Sequence, residues 1–363
     1  MKSQNFSREL GSAFGSPIGM AQAPVELDGS VGEGGGQILR TSLALSLITG
    51  KPFHLRHIRA RRSRPGLQPQ HLASVRAAAA VGQAALKGAS KGSTDLVFEP
   101  GPVAAGNYHF AIGTAGATGL VLHTVYLPLA LAEGFSTVTI EGGTHVPHSP
   151  CFHFLELTWR GYLGLLGLTL DLTMRRPGFY PRGGGLIQAS IQPVSQIQAL
   201  NLAQLTLERK IAGFSAAAGL PEHVRRRQAD RARQGLRALD CDVHLVEETW
   251  QGGPGSVLGL QVHTGPVPTF FFSLGERGKP AERVADEAVH EVRAFLEADP
   301  PAMDGHSADQ ILLPLALAPG PSRFAVAALT QHTLTNARVI CAFVDRTIKC
   351  HGQVGEAGVV EVL

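Results

Sequence analysis

Three stretches of the chain repeat one arrangement of apolar and polar positions: a helical apolar run that ends at a glycine, then a short strand. The first is Gln37–Gly50 followed by Pro52–Ile58, the second Leu120–Gly134 followed by Thr137–Ile140, and the third Asp309–Gly320 followed by Arg323–Ala327. A glycine just past a helix can take the left-handed backbone that closes it. Each stretch then predicts a second helix and a closing strand. These are Gln70–Leu86 with Asp95–Phe98, Phe152–Leu165 with Leu168–Met174, and His332–Val344 with Val359–Leu363. Helices alternating with strands three times over imply an α/β (α+β) body with helices packed on sheets.

The spacing of the repeats locates an insertion. Gly50 and Gly134 are 84 residues apart, whereas Gly134 and Gly320 are 186 apart, an excess of about a hundred. The sequence therefore predicts a large three-repeat domain over 23–186 and 286–363, with a smaller α/β unit inserted at 187–285. That unit carries short strands at Ile187–Ile191, Val257–Val262 and Thr269–Leu274, and an Arg-rich helix over about Pro221–Leu239. Residues 1–22 are rich in Gly, Ser and Ala and lack the apolar core of a signal peptide, which reads as a disordered or extended leader.

Composition narrows the class. With 363 residues, 44% hydrophobic and 17% charged, the chain can bury a sizeable core. A net charge of +3 excludes a histone-like polycation. No apolar run reaches the roughly 18 residues of a membrane helix, so no membrane partner is expected. Cys151, Cys241, Cys341 and Cys350 are widely spaced with no CxxC pair, which argues against a zinc site or disulfide framework and for the cytoplasm. Arginine supplies 25 of the 32 Lys and Arg residues. That bias is read equally as codon usage and as a means of bidentate phosphate recognition.

Several segments carry candidate chemistry. Glycines at 32, 34, 35 and 36 precede a helix, where bare amides can cradle phosphate. Glu33 among them can hold a magnesium ion, and Arg40 lies one turn on. No Walker loop or dinucleotide fingerprint is present. Five arginines fall between Arg56 and Arg64, a density suited to polyphosphate or a nucleic-acid backbone, or to a solvated strand edge. Pro65-Gly66 sets a turn before Gln70 and His71 open a helix. The Arg-rich helix, with Arg225, Arg226, Arg227, Arg231, Arg233 and Arg237, reads more readily as a solvated face than as a nucleic-acid contact. Asp309 opens a helix, where a first-turn acid also has a purely structural use. His332 falls between an apolar strand and a helix, a place from which one ring nitrogen can attack phosphorus while the other donates to a fixed acceptor.

Taken together, these motifs resemble the RNA 3′-terminal phosphate cyclases. The resemblance runs from about Val25 to the C-terminus. It is carried by Gly32–Arg40, Ile58-Arg59 with Arg62, Pro65–Leu67 with Gln70–Leu72, Gly142–Thr144, Gly178–Gly185, Ala308–Gln310 and His332–Asn336. It implies a large domain of three βαβαββ-type repeats like the C-terminal domain of a translation initiation factor, with a smaller inserted domain. It also implies a nucleotidyl-transferring ligase that uses ATP and Mg2+ or Mn2+. Such an enzyme turns an RNA 3′-phosphate end into a 2′,3′-cyclic phosphate, releasing AMP and pyrophosphate.

By this resemblance His332 is the nucleophile and forms a histidinyl-AMP, and Glu33 is the metal ligand. Arg40, Arg59, Arg62, Gln70 and His71 face phosphate or RNA, and His123, Pro150, His306, Asp309 and Gln310 face the nucleotide. His123 stands where some cyclases have Gln, His306 where they can have Tyr, and Pro177 where Arg or His is usual. The base for the 2′-hydroxyl stays open among His71, His145 and the substrate itself, and no oligomeric state is implied. The alternative is a catalytically inactive RNA-binding or ribosome-assembly relative, which would lack the nucleophilic histidine that His332 supplies.

Overall fold

The computed structural model describes residues 23–32, 35–298 and 302–363. Glu33 and the 1–22 leader lie outside the described residues. Among these the chain forms four four-stranded sheets, covered by helices. No described helix is long and apolar enough to cross a membrane.

The first sheet is built from β1 (Val25–Asp28), α1 (Gln37–Thr49), β2 (Phe53–Arg56), α2 (Pro69–Val81), β3 (Ala85–Lys87) and β4 (Leu96–Glu99). Its order is β1-β2-β4-β3, with β1 parallel to β2 and the other pairs antiparallel. The second unit runs β5 (Asn107–Ala111), α3 (Thr118–Leu131), β6 (Ser136–Gly142), α4 (Phe152–Phe154), a π turn over Leu155–Trp159, α5 (Arg160–Leu165), β7 (Leu170–Arg176) and β8 (Gly185–Ile191). The same scheme returns, with order β5-β6-β8-β7 and only the first pair parallel. Both β6 and β8 alternate strictly between buried and half-buried positions, the period of a strand with one face on the core.

The third sheet starts with β9 (Asn201–Leu202), and the chain then leaves it. The segment β10 (Thr206–Ala218), α6 (Glu222–Leu236), β11 (Asp242–Trp250), β12 (Gly255–Gly265), β13 (Thr269–Leu274) and α7 (Ala281–Leu296) makes a separate sheet of order β11-β10-β12-β13. Its core is its own: Ile211, Leu236, Leu258, Leu260, Val284, Val292 and Phe295. The chain then returns through α8 (Gly305–Leu317), β14 (Ser322–Val326), α9 (Gln331–Phe343), β15 (Ile348–His351) and β16 (Gly358–Val362). β14 is parallel to β9 and antiparallel to β16, giving the order β15-β16-β14-β9 and the scheme of the first two sheets once more.

Strand pairing shifts the edges of the inserted unit. Ile187–Ile191 belongs to β8, hydrogen-bonded between β6 and β7 in the second sheet, and not to the insertion. At the other end α7 runs past 285 because Val284, Ala288, Val292 and Phe295 complete the inserted core.

Local endings differ as well. α2 stops at Val81 and not near Leu86. The Leu47 side chain occupies the space a Cβ would need at Gly82, Gln83 has φ 46°, and the chain re-enters as β3. Gly50 does cap α1 with φ 70°. α3 and α8, by contrast, end at Leu131 and Leu317 with Ala132 and Ala318 extended, before Gly134 and Gly320 are reached. Each of these two helices has a proline three residues before its end, Pro128 and Pro314, so the same Leu-Pro-Leu-Ala-Leu-Ala run stops in the same way twice.

The Arg-rich helix finds its acids both within its own sequence and on its neighbours. Arg227 bonds both carboxylate oxygens of Glu282 on α7 at 2.7 and 2.8 Å, and Arg231 bonds those of Asp286 at 2.6 and 3.2 Å. Arg225 pairs with Glu222, and Arg233 with Asp230 and Glu247. Three of the six arginines, Arg227, Arg231 and Arg233, therefore tie α6 to its neighbours. Replacing Arg227 and Arg231 together by Gln should lower the thermal midpoint at low ionic strength. The difference should shrink toward about 1 M salt, where the screening length is about 3 Å. An unchanged midpoint at low salt would show that the pairs contribute nothing.

Candidate active site

Helix α1 is the centre around which the candidate residues gather. It packs against α2, α3 and α9, and Ile38, Leu39, Leu43, Leu45 and Leu47 on it are buried. Ser42 and Thr49 fit such an apolar setting because each hydroxyl donates to the carbonyl four residues back, at 2.7 Å. The start of α1 thus lies where three other helices converge, and it holds Gln37, Arg40 and Thr41.

Two glycines make that convergence possible. At Gly32 φ is 63°, and a Cβ would run into the Thr335 hydroxyl on the first turns of α9. At Gly36 a Cβ would lie 2.5 Å from His71 Nε2 and 2.9 Å from Arg40 Nη1. Gly32 therefore approaches α9 closely, and Gly36 lets His71 and Arg40 close up to the start of α1.

His332 is the second residue of α9. That helix is capped by Thr330, whose hydroxyl accepts from the Thr333 amide at 3.0 Å. His332 Nδ1 lies 2.6 Å from Gln37 Oε1, joining residues 295 positions apart. Gln37 Nε2 in turn donates to Asp309 Oδ1 at 2.5 Å. Asn336, one turn beyond His332, donates to the Asp309 carbonyl at 3.1 Å and accepts from Thr41 at 2.7 Å. These bonds lock the starts of α1, α8 and α9 together.

The charges are arranged sparingly. Burial, opposed by Asp309, holds the Arg40 guanidinium down to about 10, so it stays cationic at neutral pH. Burial together with Arg40 and Arg59 pushes His71 down to about 3. Burial together with Arg40 pushes His123 down to about 3. Both imidazoles are therefore neutral beside a cation. His71 Nδ1 accepts from the Gln68 amide at 3.1 Å, so its proton sits on Nε2, the atom facing Gly36. Burial raises Asp309, opposed by His332, Gln37, His306 and Arg40.

The remaining predicted residues fall as follows. Arg59, in a left-handed turn after β2 (φ 55°), donates to the Arg64 and Gly66 carbonyls, which explains part of the arginine cluster structurally. Arg62 reaches toward Gly35. Gln70 Oε1 accepts from the Ala117 amide at 3.1 Å, so this side chain is spent in part on the start of α3. Pro150 lies against Gly119, one turn before His123 on α3. His123 packs on Trp159 from the π turn, ring centroids 4.7 Å apart, and its buried Nε2 has no partner. Gln310 Oε1 is likewise buried and unpartnered. His306 is exposed at the start of α8, its amide held by Asp304.

His145 departs from the expected cleft. It is buried between Phe179 and Trp250 and bonded to His153 at 3.1 Å, where the inserted sheet meets α4. Aromatic packing takes it out of the group around His332. Conversely, Gln37, Asn336 and Trp159 join the site although no role was read for them. Gln37 and Asn336 sit inside the motifs, yet an amide shows its use only once its partners are in place.

An RNA 3′-terminal phosphate cyclase family model matches residues 31–350. The chain is 44% identical over 333 residues to the RNA 3′-terminal phosphate cyclase of Caldivirga maquilingensis, covering 90% of this chain and 94% of that protein. It is 42% identical over 326 residues to that of Ectopseudomonas mendocina (90% and 94%) and 40% over 323 residues to that of Salmonella agona (89% and 93%). The chain belongs to the RNA 3′-terminal phosphate cyclase family. The residues gathered around His332 are those through which a family resemblance was read in the sequence.

Two outcomes follow from this geometry. Gly36→Ala should leave the fold intact by circular dichroism yet cut nucleotide-dependent activity about a hundredfold, since roughly 1 Å of misplacement at Arg40 and His71 suffices for that. Full activity in this variant would remove the steric argument. The second concerns pH. His123 titrates near 3 when folded, against an ordinary 6.5. The unfolded chain therefore binds a proton across that window that the folded chain does not. Stability is full above about 6.5 and is lost as pH falls toward 3. His123→Gln should flatten the dependence of the urea midpoint on pH between about 6.5 and 4, and an unchanged slope would contradict the buried neutral imidazole.

Proposed function

We propose that this protein is an ATP-dependent RNA 3′-terminal phosphate cyclase acting through a histidinyl-AMP on His332. The observation that carries the reading is the placement of His332 at the start of α9, bonded through Gln37 to Asp309 and close to the start of α1 with its Arg40. A helix start favours a neutral imidazole and an incoming phosphate anion.

The residues fit a nucleotide. His123 Nε2 and Gln310 Oε1 are buried without partners, and a ligand with donors and acceptors would satisfy them. Pro150 and the exposed His306 border the same region, and Asp309 and Gln310 complete the nucleotide side. Arg40 keeps its positive charge for the phosphates, with Arg59, Arg62, Gln70 and His71 on the phosphate and RNA side. Glu33 is the proposed ligand for Mg2+ or Mn2+, which when bound would neutralise charge on the triphosphate.

An RNA phosphate oxygen is a poor leaving group, so the end must be activated first. The neutral imidazole attacks the α-phosphorus of ATP and releases pyrophosphate. The RNA 3′-phosphate then takes the AMP from the histidine. The vicinal 2′-hydroxyl attacks its own phosphorus, expels AMP and closes the ring. That last step is intramolecular, and effective molarity lowers its barrier by several kcal/mol, on the order of 7 at the favourable end. Arg40 and its neighbours offset the negative charge that develops in the first two steps.

We infer further that the three like-paired sheets are three βαβαββ repeats, resembling the C-terminal domain of a translation initiation factor. The sheet of β10–β13 with α6 and α7 would be the inserted domain, its edges set by β9 and α7. The four free cysteines support a reducing cytoplasm as its compartment.

With magnesium and ATP labelled at the α-phosphate, the protein should retain label that is acid-labile and alkali-stable, and His332→Ala should retain none. Equal labelling of the variant would remove the nucleophile. Glu33→Ala should adenylate more slowly and not recover with added magnesium; a normal rate would remove the metal role.

A further inference from the structure

Residues 177–184 join β7 to β8, and the chemistry around His332 leaves this loop unused. It is nonetheless firmly held. The Gly178 carbonyl accepts from the Thr144 and His145 amides at 2.8 and 3.0 Å, and the Gly178 amide donates to the Thr144 hydroxyl at 2.9 Å. The Gly183 amide donates to the Phe179 carbonyl at 2.7 Å, and Arg176 Nε donates to the Gly184 carbonyl. Phe179 points inward, buried and stacked on His145.

The tip points the other way. Tyr180, Pro181 and Arg182 are all exposed. Tyr180 is 67% exposed, the most of any large apolar side chain among the described residues, with Val354 next at 52%. Among the described residues no ring, hydrogen bond or ion pair engages the side chain of Tyr180 or of Arg182. A single exposed apolar side chain is ordinary. An aromatic ring beside an unpaired guanidinium, on a loop anchored at both ends, is a preformed stacking surface with a positive charge at its edge. Its position gives that surface a use. At Gly183 φ is 68°, and a Cβ would lie 2.8 Å from the Ala115 Cα, so the loop rests on the segment that leads into α3. Gln70 holds the same segment from the other side. Its Oε1 accepts from the Ala117 amide at 3.1 Å, and a Cβ on Gly116 would lie 2.9 Å from the Gln70 Cβ. Next to Gln70 is His71, whose Nε2 faces Gly36 at the start of α1. The tip is thus joined, through residues 114–117 and the start of α2, to the place where the proposed function puts the RNA phosphate.

We propose that Tyr180 and Arg182 form a docking platform for the single-stranded RNA just behind its 3′-phosphate. The Tyr180 ring stacks on a base there, and Arg182 meets the adjoining backbone phosphate. This rests on the reading of the start of α1 as the seat of the RNA 3′-phosphate. A terminal phosphate alone does not tell a strand from a lone nucleotide, so recognition of a strand has to come from the nucleotides behind it. Stacking suits ends of any sequence, because every base offers a π face, and an unpaired strand leaves that face open to an aromatic side chain. An arginine beside the ring adds attraction to the backbone without reading sequence.

The test uses the full chain without ATP and follows, by fluorescence anisotropy, a 5′-fluorescein-labelled single-stranded hexaribonucleotide that ends in a 3′-phosphate. Tyr180→Ala should weaken binding about tenfold or more, whereas Tyr180→Phe, which keeps the ring, should stay within about twofold of the parent. Hexamers with one abasic position behind the terminal nucleotide locate the base. At one such position the parent should lose as much affinity as Tyr180→Ala does, and Tyr180→Ala should lose nothing more. Arg182→Gln should weaken binding and reduce the slope of log Kd against log salt by about 0.7, the share of one phosphate contact on a single strand. Parent-like binding by Tyr180→Ala, the result expected if the tip docks a protein instead, would overturn the proposal. So would equal weakening by Tyr180→Phe, or an unchanged salt slope in Arg182→Gln. The titrations need no turnover, so a parent protein that binds the hexamer through Tyr180 and never cyclises its end would reject the cyclase reading and leave the platform standing.

Discussion

Everything around His332 depends on a cation kept where water is scarce. Arg40 enters the start of α1 among buried apolar positions and remains charged at neutral pH. Asp309 favours that charge, and His71 and His123, held neutral first by burial and then by Arg40, add no like charge beside it. Were either imidazole protonated, like charges would face each other in a region of low dielectric, where repulsion is several times stronger than in water. Asp309 supplies the opposite charge, and Gln37 and Asn336 spread it toward α1 and α9. The site is thus a buried cation and an acid joined by neutral donors and acceptors, with α1 as the common wall.

This arrangement dictates the backbone around it. A guanidinium and an imidazole can both reach the helix start only if the loop before it carries no side chains at Gly32 and Gly36. In the sequence these glycines read as a phosphate cradle. In the fold they have a second use, clearing space for Thr335, His71 and Arg40. The two uses are compatible, because a position without a Cβ also leaves its amide accessible to an anion.

How far the sequence revealed this can be judged residue by residue. The helices that carry the site were legible because they are long and apolar: α1, α3 and α9 lie within three residues of expectation, and α8 starts four residues earlier than expected, at Gly305. Arg40, Asp309 and His332 stand out in the sequence through the motifs that resemble the cyclase family, and the fold brings Asp309 and His332 onto the two ends of one glutamine amide. The short strands were not. β9 has two residues and β3 three, too few to show a period, and their membership depends on hydrogen bonds to partners far along the chain. For that reason Ile187–Ile191 was assigned to the insertion when it belongs to the second sheet. Gln37 was overlooked for a related reason: its meaning lies in two neighbours 272 and 295 positions away. The arginines of α6 are read from the sequence as a solvated face, and the fold adds what the sequence does not show, that two of them are answered by acids on α7.

The two histidine clusters show how the same residue type is put to different use. Near Arg40 two imidazoles are held neutral, His71 with its Nε2 facing Gly36 and His123 with its Nε2 buried. At the edge of the inserted sheet, His145 and His153 are packed face-on or tilted among Phe179, Phe214, Trp250 and Phe270, and each satisfies the other. Thr144 closes that network from the main-chain side, its hydroxyl 2.8 Å from His145 Nδ1 and accepting from the Gly178 amide at 2.9 Å. No buried nitrogen there is left wanting a partner, whereas His123 Nε2 is. A buried polar atom left without a partner costs about 1–3 kcal/mol. An arrangement that satisfies His145 fully and leaves His123 open therefore marks the second, and not the first, as the place where a ligand adds stability.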